Sequence, residues 1–153
     1  MTAEDAMTDP AKDPADLARR SADAMWADDA ASRMLGMKIV AVGPGTATVS
    51  MTVREDMING WALCHGGLVA SLADSAFAVA CNSHGTVTVA AGFDVSFLEA
   101  ARLGDELIAV ASERALRGRS GVYDVTVRRA GDDSVIAEFR GRSRATGKQN
   151  PGV

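Results

Sequence analysis

Between Leu68 and Cys81 the chain is apolar on every side, interrupted only by Ser71, Asp74 and Ser75. Seven of these fourteen residues are Ala or Leu, strong helix formers, and the Gly66-Gly67 pair in front marks the start. A helix without a polar face is one that other elements enclose. The pattern therefore predicts a central, buried helix over residues 66–83. It is too short for a bilayer span, which takes about 20 apolar residues. Asp74 breaks the pattern, because a lone buried carboxylate is costly unless it finds a partner or shifts its pKa.

On either side the period changes. Residues 1–12 are acidic and polar and are expected to be disordered. Asp13-Pro14 reads as an N-cap followed by proline at the first helical position. A peripheral helix over 13–35 follows, with Leu17, Met25, Trp26 and Met34 as its apolar stripe and Gly36 closing it. From Met37 two strands are expected around the turn Gly43-Pro44-Gly45, with Ala47, Val49, Met51 and Val53 alternating against polar residues. Arg54 to Trp61 reads as a loop. After Gly85, residues 86–100, 106–117, 120–129 and 134–142 all read as strands. Short turns join them, so an antiparallel meander is the expected pairing. The chain from Ala145 on, and the tail 147–153 in particular, is expected to be loose. One α+β domain over 13–146 results: an antiparallel sheet of five to six strands wrapped around one long central helix, with an extra N-terminal helix.

Composition narrows the function. With 47% apolar and 24% charged residues the chain reads as an ordinary globular domain. Residues 1–30 carry eight acids against three bases, which argues against a nucleic-acid arm. Cys64 and Cys81 lack a paired spacing and read as reduced thiols of a cytoplasmic protein. The first residues have neither a basic segment nor an apolar run, so no secretion signal is expected. Two histidines and two cysteines without ligand spacing make no metal site. Cys64 beside His65 lacks a third member and is not taken as a nucleophile pair. His84 reads as a loop residue. Read on its own, Asp74 is either a structural carboxylate capped by Ser71 or Ser75, or a functional one.

Longer strings resolve that choice. Asn59-Gly60, Cys64-His65-Gly66-Gly67, Leu72-Ala73-Asp74-Ser75-Ala76-Phe77 and Ala80-Cys81-Asn82-Ser83 occur in this order, followed by Phe93-Asp94-Val95-Ser96-Phe97-Leu98 and Gly121-Val122-Tyr123-Asp124. Over about residues 33–146 the chain resembles the hotdog-fold acyl-CoA thioesterases of the PaaI type, from phenylacetate catabolism. The resemblance implies that the Gly66 N–H polarises a thioester carbonyl and that Asp74 is general base or nucleophile. It also implies that Asn59 and His65 orient water or substrate, and that Ser75 hydrogen-bonds Asp74 or the water. The substrate would be phenylacetyl-CoA or hydroxyphenylacetyl-CoA. No cofactor is implied, since coenzyme A is part of the substrate. Physical chemistry agrees on Gly66, because a helix N-terminus offers unpaired amides and a favourable dipole.

Gly66 and Asp74 lie eight residues apart, about 12 Å along a helix. A reacting carbon must lie within about 3–3.5 Å of its attacking atom. One subunit's pair cannot serve one thioester, so the site is expected to span a two-fold axis. A homodimer follows, and the family implies a dimer of dimers. Neither nucleic acid nor membrane is expected as a partner. For the CoA phosphates the expected cations are Arg117 and Arg119, with Ser120 in the same turn, then Arg102 and Arg142. Met57, Asn59, Phe77 and Ser83 are expected to wall the acyl pocket. The alternatives are the same chemistry on another aromatic or medium-chain acyl-CoA, or a non-catalytic acyl-CoA-binding hotdog module.

Overall fold

The computed structural model describes residues 13–153, so the expectation for residues 1–12 lies outside the described residues. The apolar segment forms helix α3 (Gly66–Cys81), which lies in the hollow of a six-stranded antiparallel sheet. The strands are β1 (Lys38–Gly43), β2 (Thr46–Thr52), β3 (Thr86–Phe97), β4 (Glu106–Arg117), β5 (Ser120–Arg129) and β6 (Val135–Gln149). Their spatial order is β1-β2-β4-β5-β6-β3. Every second residue of β2 points at the helix: Ala47, Val49 and Met51 are all buried. Leu107, Ala109 and Ala111 of β4 do the same, as do Tyr123, Val125 and Val127 of β5. Leu72, Ala73, Ala76 and Phe77 meet them from α3, in one continuous core. Gly141 makes that contact possible, because a Cβ there would sit 2.8 Å from the Phe77 ring.

The meander expectation is corrected at β3. It does not pair with its sequence neighbour β4; its partner is β6, with Phe93 opposite Gly141 and Phe97 opposite Ala137. Residues 98–105 carry the chain across to β4, which pairs with β2. The reason is the helix: α3 fills the hollow, and β3 returns along it to close the far end of the sheet. β3 is thus an edge strand, paired on one side within the described chain.

Three boundaries also differ. The N-terminal segment is two helices, α1 (Pro14–Ala27) and α2 (Ala30–Met34), because Asp28 ends the first and Asp29 N-caps the second. The small residues Ala18, Ser21 and Ala22 make the buried contact of α1, while Met34 points outward at 67% exposure. Helix α3 stops at Cys81, where Asn82 takes the C-cap. The C-terminal residues are held rather than loose: β6 runs to Gln149, the buried Asn150 donates from its side chain to Ser21 O (3.1 Å), and its N–H donates to Gly85 O (2.8 Å). Among the described residues no helix is long and apolar enough to cross a membrane.

Candidate active site

Gly66 opens α3, with His65 in the N-cap position. The Gly66 and Gly67 amides donate to no group among the described residues, as the first turn of a helix leaves them. The Phe97 ring of β3 lies over Gly66, and a Cβ there would come 3.1 Å from its Cζ. Gly66 opens into a cavity of about 360 Å³ shared with Asn59, Cys64, Phe97 and Ala101. The glycine therefore presents a bare N–H to a space that a carbonyl oxygen can reach.

Asp74 lies two turns further along α3, half-buried, and its carboxylate has no hydrogen-bond partner among the described residues. Burial pushes its pKa above the ordinary carboxylate value. It stands between two cavities. One, of about 330 Å³, has apolar walls from Met25 of α1, Phe77, Ala78 and Cys81 of α3, and the start of β3. Asn82 also lines it, but its amide is consumed by Ala78 O, Thr88 O and Thr88 N–H, each at 2.9 Å. The other, of about 240 Å³, is rimmed by Ser71, Ser75, Ser32 and Asp29. Neither cavity shares a lining residue with the Gly66 cavity.

The other candidates divide. Ser71 donates to Gly67 O (2.8 Å), so it does not cap Asp74. Ser75 does not bond Asp74 either; its Oγ is 3.0 Å from Ser32 Oγ. Asn59 uses its Oδ1 to accept from the Trp61 and Leu63 amides (2.9 and 3.2 Å), which shapes the loop before α3. His65 is exposed and makes no side-chain cap bond. Phe77 lines the cavity beside Asp74, whereas Met57 lies in the core and Ser83 accepts from Gly45 N–H (2.7 Å) to pin the β1–β2 turn. Cys81 was not singled out as a wall. Its thiol is pushed up to about 12 by burial and the Asp74 charge, so it stays protonated.

The basic candidates do not form one group. Arg117, Arg119 and Ser120 sit on the β4–β5 turn, where Arg144 reaches Ser120 Oγ (3.3 Å). Arg102 lies beyond the other end of β4, a strand of twelve residues or about 40 Å. Arg102, Arg117 and Arg119 make no ion pair among the described residues; Arg142 is held by Asp94 at 2.7 Å. Met25, Ser32 and Asp29 were missed as cavity residues, because nothing in a local pattern ties the N-terminal helices to Asp74. His84, read as a loop residue, contacts Glu113 Oε2 at 2.7 Å, and Tyr123 donates to the same oxygen at 2.6 Å.

A six-stranded antiparallel sheet wrapped on one helix is the hotdog fold. A profile of the thioesterase superfamily matches residues 62–136, and the chain belongs to this superfamily of thioester hydrolases. Its likeness is to particular members. It is 42% identical over 128 residues to the Escherichia coli acyl-coenzyme A thioesterase PaaI, covering 84% of this chain and 91% of that protein. The solved structure of that E. coli protein superposes with a TM-score of 0.85 at 41% identity, covering 87% of this chain and 96% of that one. A mutant of the phenylacetic acid degradation protein PaaI from Thermus thermophilus gives 0.71 at 32% identity, over 74% of this chain and 96% of that one. Human acyl-coenzyme A thioesterase 13 is 32% identical over 82 residues, 52% of this chain and 59% of that protein.

Proposed function

We propose that the protein hydrolyses an aryl-acetyl-CoA thioester, phenylacetyl-CoA or a hydroxyphenylacetyl-CoA, to the free acid and CoA. The observation that carries this reading is Asp74: a carboxylate with no partner among the described residues, at the head of an otherwise apolar or satisfied cavity. A cavity of about 330 Å³ is roughly twice the ~150 Å³ that takes up benzene. The E. coli relative is named an acyl-coenzyme A thioesterase and comes from a phenylacetic acid degradation operon, which supports the same substrate class here.

In this reading the Gly66 amide of one protomer polarises the thioester carbonyl and Asp74 of its partner promotes attack. The edge of β3 supports such a pairing. It is unpaired among the described residues, and β3 carries Val89, Phe93 and Phe97, with Leu98 just past its end, all at least 41% exposed. Gly66 lies against Phe97 at one end of β3, and the Asp74 cavity includes Val87 to Ala90 at the other. Two β3 edges joined antiparallel about a two-fold axis would bring the Phe97 end of each against the Val87 end of its partner. Two equivalent sites per dimer follow, and two such dimers would form the tetramer. The hydroxyl-lined cavity on the far side of Asp74 favours general-base catalysis on water over direct attack. Arg117, Arg119 and Arg102, which make no ion pair among the described residues, are the cations for the CoA phosphates.

Thiol release across a panel of acyl-CoAs tests this reading. Turnover is expected to be highest on arylacetyl thioesters and lost in Asp74→Ala. Equal turnover on acetyl-CoA and long-chain acyl-CoAs would contradict the substrate, and a wild-type rate in Asp74→Ala would contradict the site.

A further inference from the structure

The hydroxyl-lined cavity beside Asp74 contains a hydrogen-bond chain whose direction is fixed. Asp29, the N-cap of α2, accepts twice from Ser32: the Ser32 N–H donates to Oδ1 (2.9 Å) and the Ser32 hydroxyl donates to Oδ2 (2.8 Å). An ionised carboxylate has no proton to give, so the single proton of Ser32 Oγ is committed to Asp29. Ser75 Oγ lies 3.0 Å from Ser32 Oγ. In that contact Ser75 must therefore donate and Ser32 accept. The Ser75 proton is taken up by Ser32, and what Ser75 offers to the rest of the space it shares with Asp74 is lone pairs alone. Ser32 is 3% exposed, so bulk water does not scramble this order.

We propose that Asp29 and Ser32 are positioning residues that lock Ser75 as a hydrogen-bond acceptor, so that Asp74 and Ser75 together hold the attacking water by both of its protons. The inference rests on Asp74 acting as general base. A water that donates one proton to Asp74 and the other to Ser75 has its lone pairs turned outward, toward the thioester carbon. As its oxygen bonds to that carbon, the first proton passes to Asp74. Collapse of the tetrahedral intermediate breaks the C–S bond, and the proton held by Asp74 goes to the departing thiolate. The second proton stays on oxygen, in the carboxylic acid product. Were Ser75 free to rotate, it could donate to the water or to Asp74 and turn the lone pairs away.

One substitution reverses the chain without removing the cap. In Asp29→Asn the amide oxygen still accepts the Ser32 N–H, and Asn caps a helix as well as Asp. Its NH2 group now donates to Ser32 Oγ, which frees the Ser32 proton for Ser75 and turns the Ser75 proton into the cavity. In steady-state hydrolysis of the best thioester, Asp29→Asn is expected to lower kcat about tenfold or more, with KM within about twofold and an unchanged melting curve. Ser32→Ala keeps the Oδ1 cap and decides the matter should Asp29→Asn fold poorly; it is expected to lower kcat similarly, and Ser32→Thr to restore most of the loss. Wild-type kcat in Asp29→Asn or in folded Ser32→Ala, alongside an inactive Asp74→Ala, overturns the proposal alone. A wild-type rate in Asp74→Ala removes the general-base reading and this proposal with it.

Discussion

Asp74 carries conflicting demands. Burial raises its pKa in the folded chain, and no hydrogen bond among the described residues offsets this. The folded state then holds its proton to a higher pH than the unfolded state does. Between the two pKa values stability falls as pH rises, and above both it stays reduced. At neutral pH Asp74→Asn is therefore expected to raise the melting temperature while lowering kcat by at least about 10²-fold. The wild-type kcat/KM should fall as pH drops through a value above the ordinary carboxylate range, since the base must be ionised. Gly66 allows a cleaner test of its amide. The position is the first of the helix, His65 before it is extended at φ −59° and ψ 129°, and proline is at home there. Gly66→Pro removes the N–H, whereas Gly66→Ala keeps it and presses on Phe97 similarly. A kcat loss of about 10²-fold or more in the proline variant beyond that in the alanine variant is expected. Equal rates in both would deny the amide its role. Both positions stand out in the sequence, Asp74 because it violates its surroundings and Gly66 because it starts a helix, while the roles proposed for them come from the family resemblance. Ser32 was not, since its partner Ser75 lies 43 positions away.

At the scale of elements, the sequence resolved what periodicity controls. The central helix, the alternation in β2 and the six strands follow from spacing alone. The place of β3 did not, because pairing with β6 is decided by how α3 fills the hollow and not by the nearest turn. Nor did the break between α1 and α2, where Asp28 and Asp29 read as helix surface until each is seen as a cap. The N-terminal helices gain a role from their position, since α1 brings Met25 to the cavity of Asp74. Met25→Ala is expected to shift kcat/KM toward bulkier acyl groups, measured on the same panel of thioesters; an unaltered profile would put the acyl limit elsewhere. Away from the site, Tyr123 is 1% exposed and its hydroxyl depends on Glu113, which His84 also holds. Burial pushes the Glu113 carboxyl up, but the bonds from Tyr123 and His84 outweigh it and hold the pKa below the ordinary value. Its contribution to stability is full above the unfolded pKa and disappears as pH falls through the folded one. Glu113→Ala should cost about 1–3 kcal/mol at neutral pH through the stranded hydroxyl, a drop of several degrees in melting temperature. The gap from wild type should narrow in acid, where only the neutral Tyr123–Glu113 bond is left.

For the whole molecule, the proposed dimer makes one chain the supplier of half of each site. The Gly66 amide and the Asp74 carboxylate, eight residues apart on one helix, open into separate cavities, while the strand beside them has an edge that is unpaired among the described residues. Sequence spacing argued against a single-chain site without naming a surface to complete it; under the proposed dimer that surface is the edge of β3, visible only once the sheet order is known. Mixed dimers give the most direct test. Asp74→Ala and Gly66→Pro protomers, each inactive as a pure assembly, are unfolded together, refolded and assayed for thiol release. If each site takes its amide from one chain and its carboxylate from the other, half the dimers are mixed and each has one intact site, so about a quarter of the wild-type rate returns. No recovery, with subunit exchange shown by tagged protomers, would contradict the shared site.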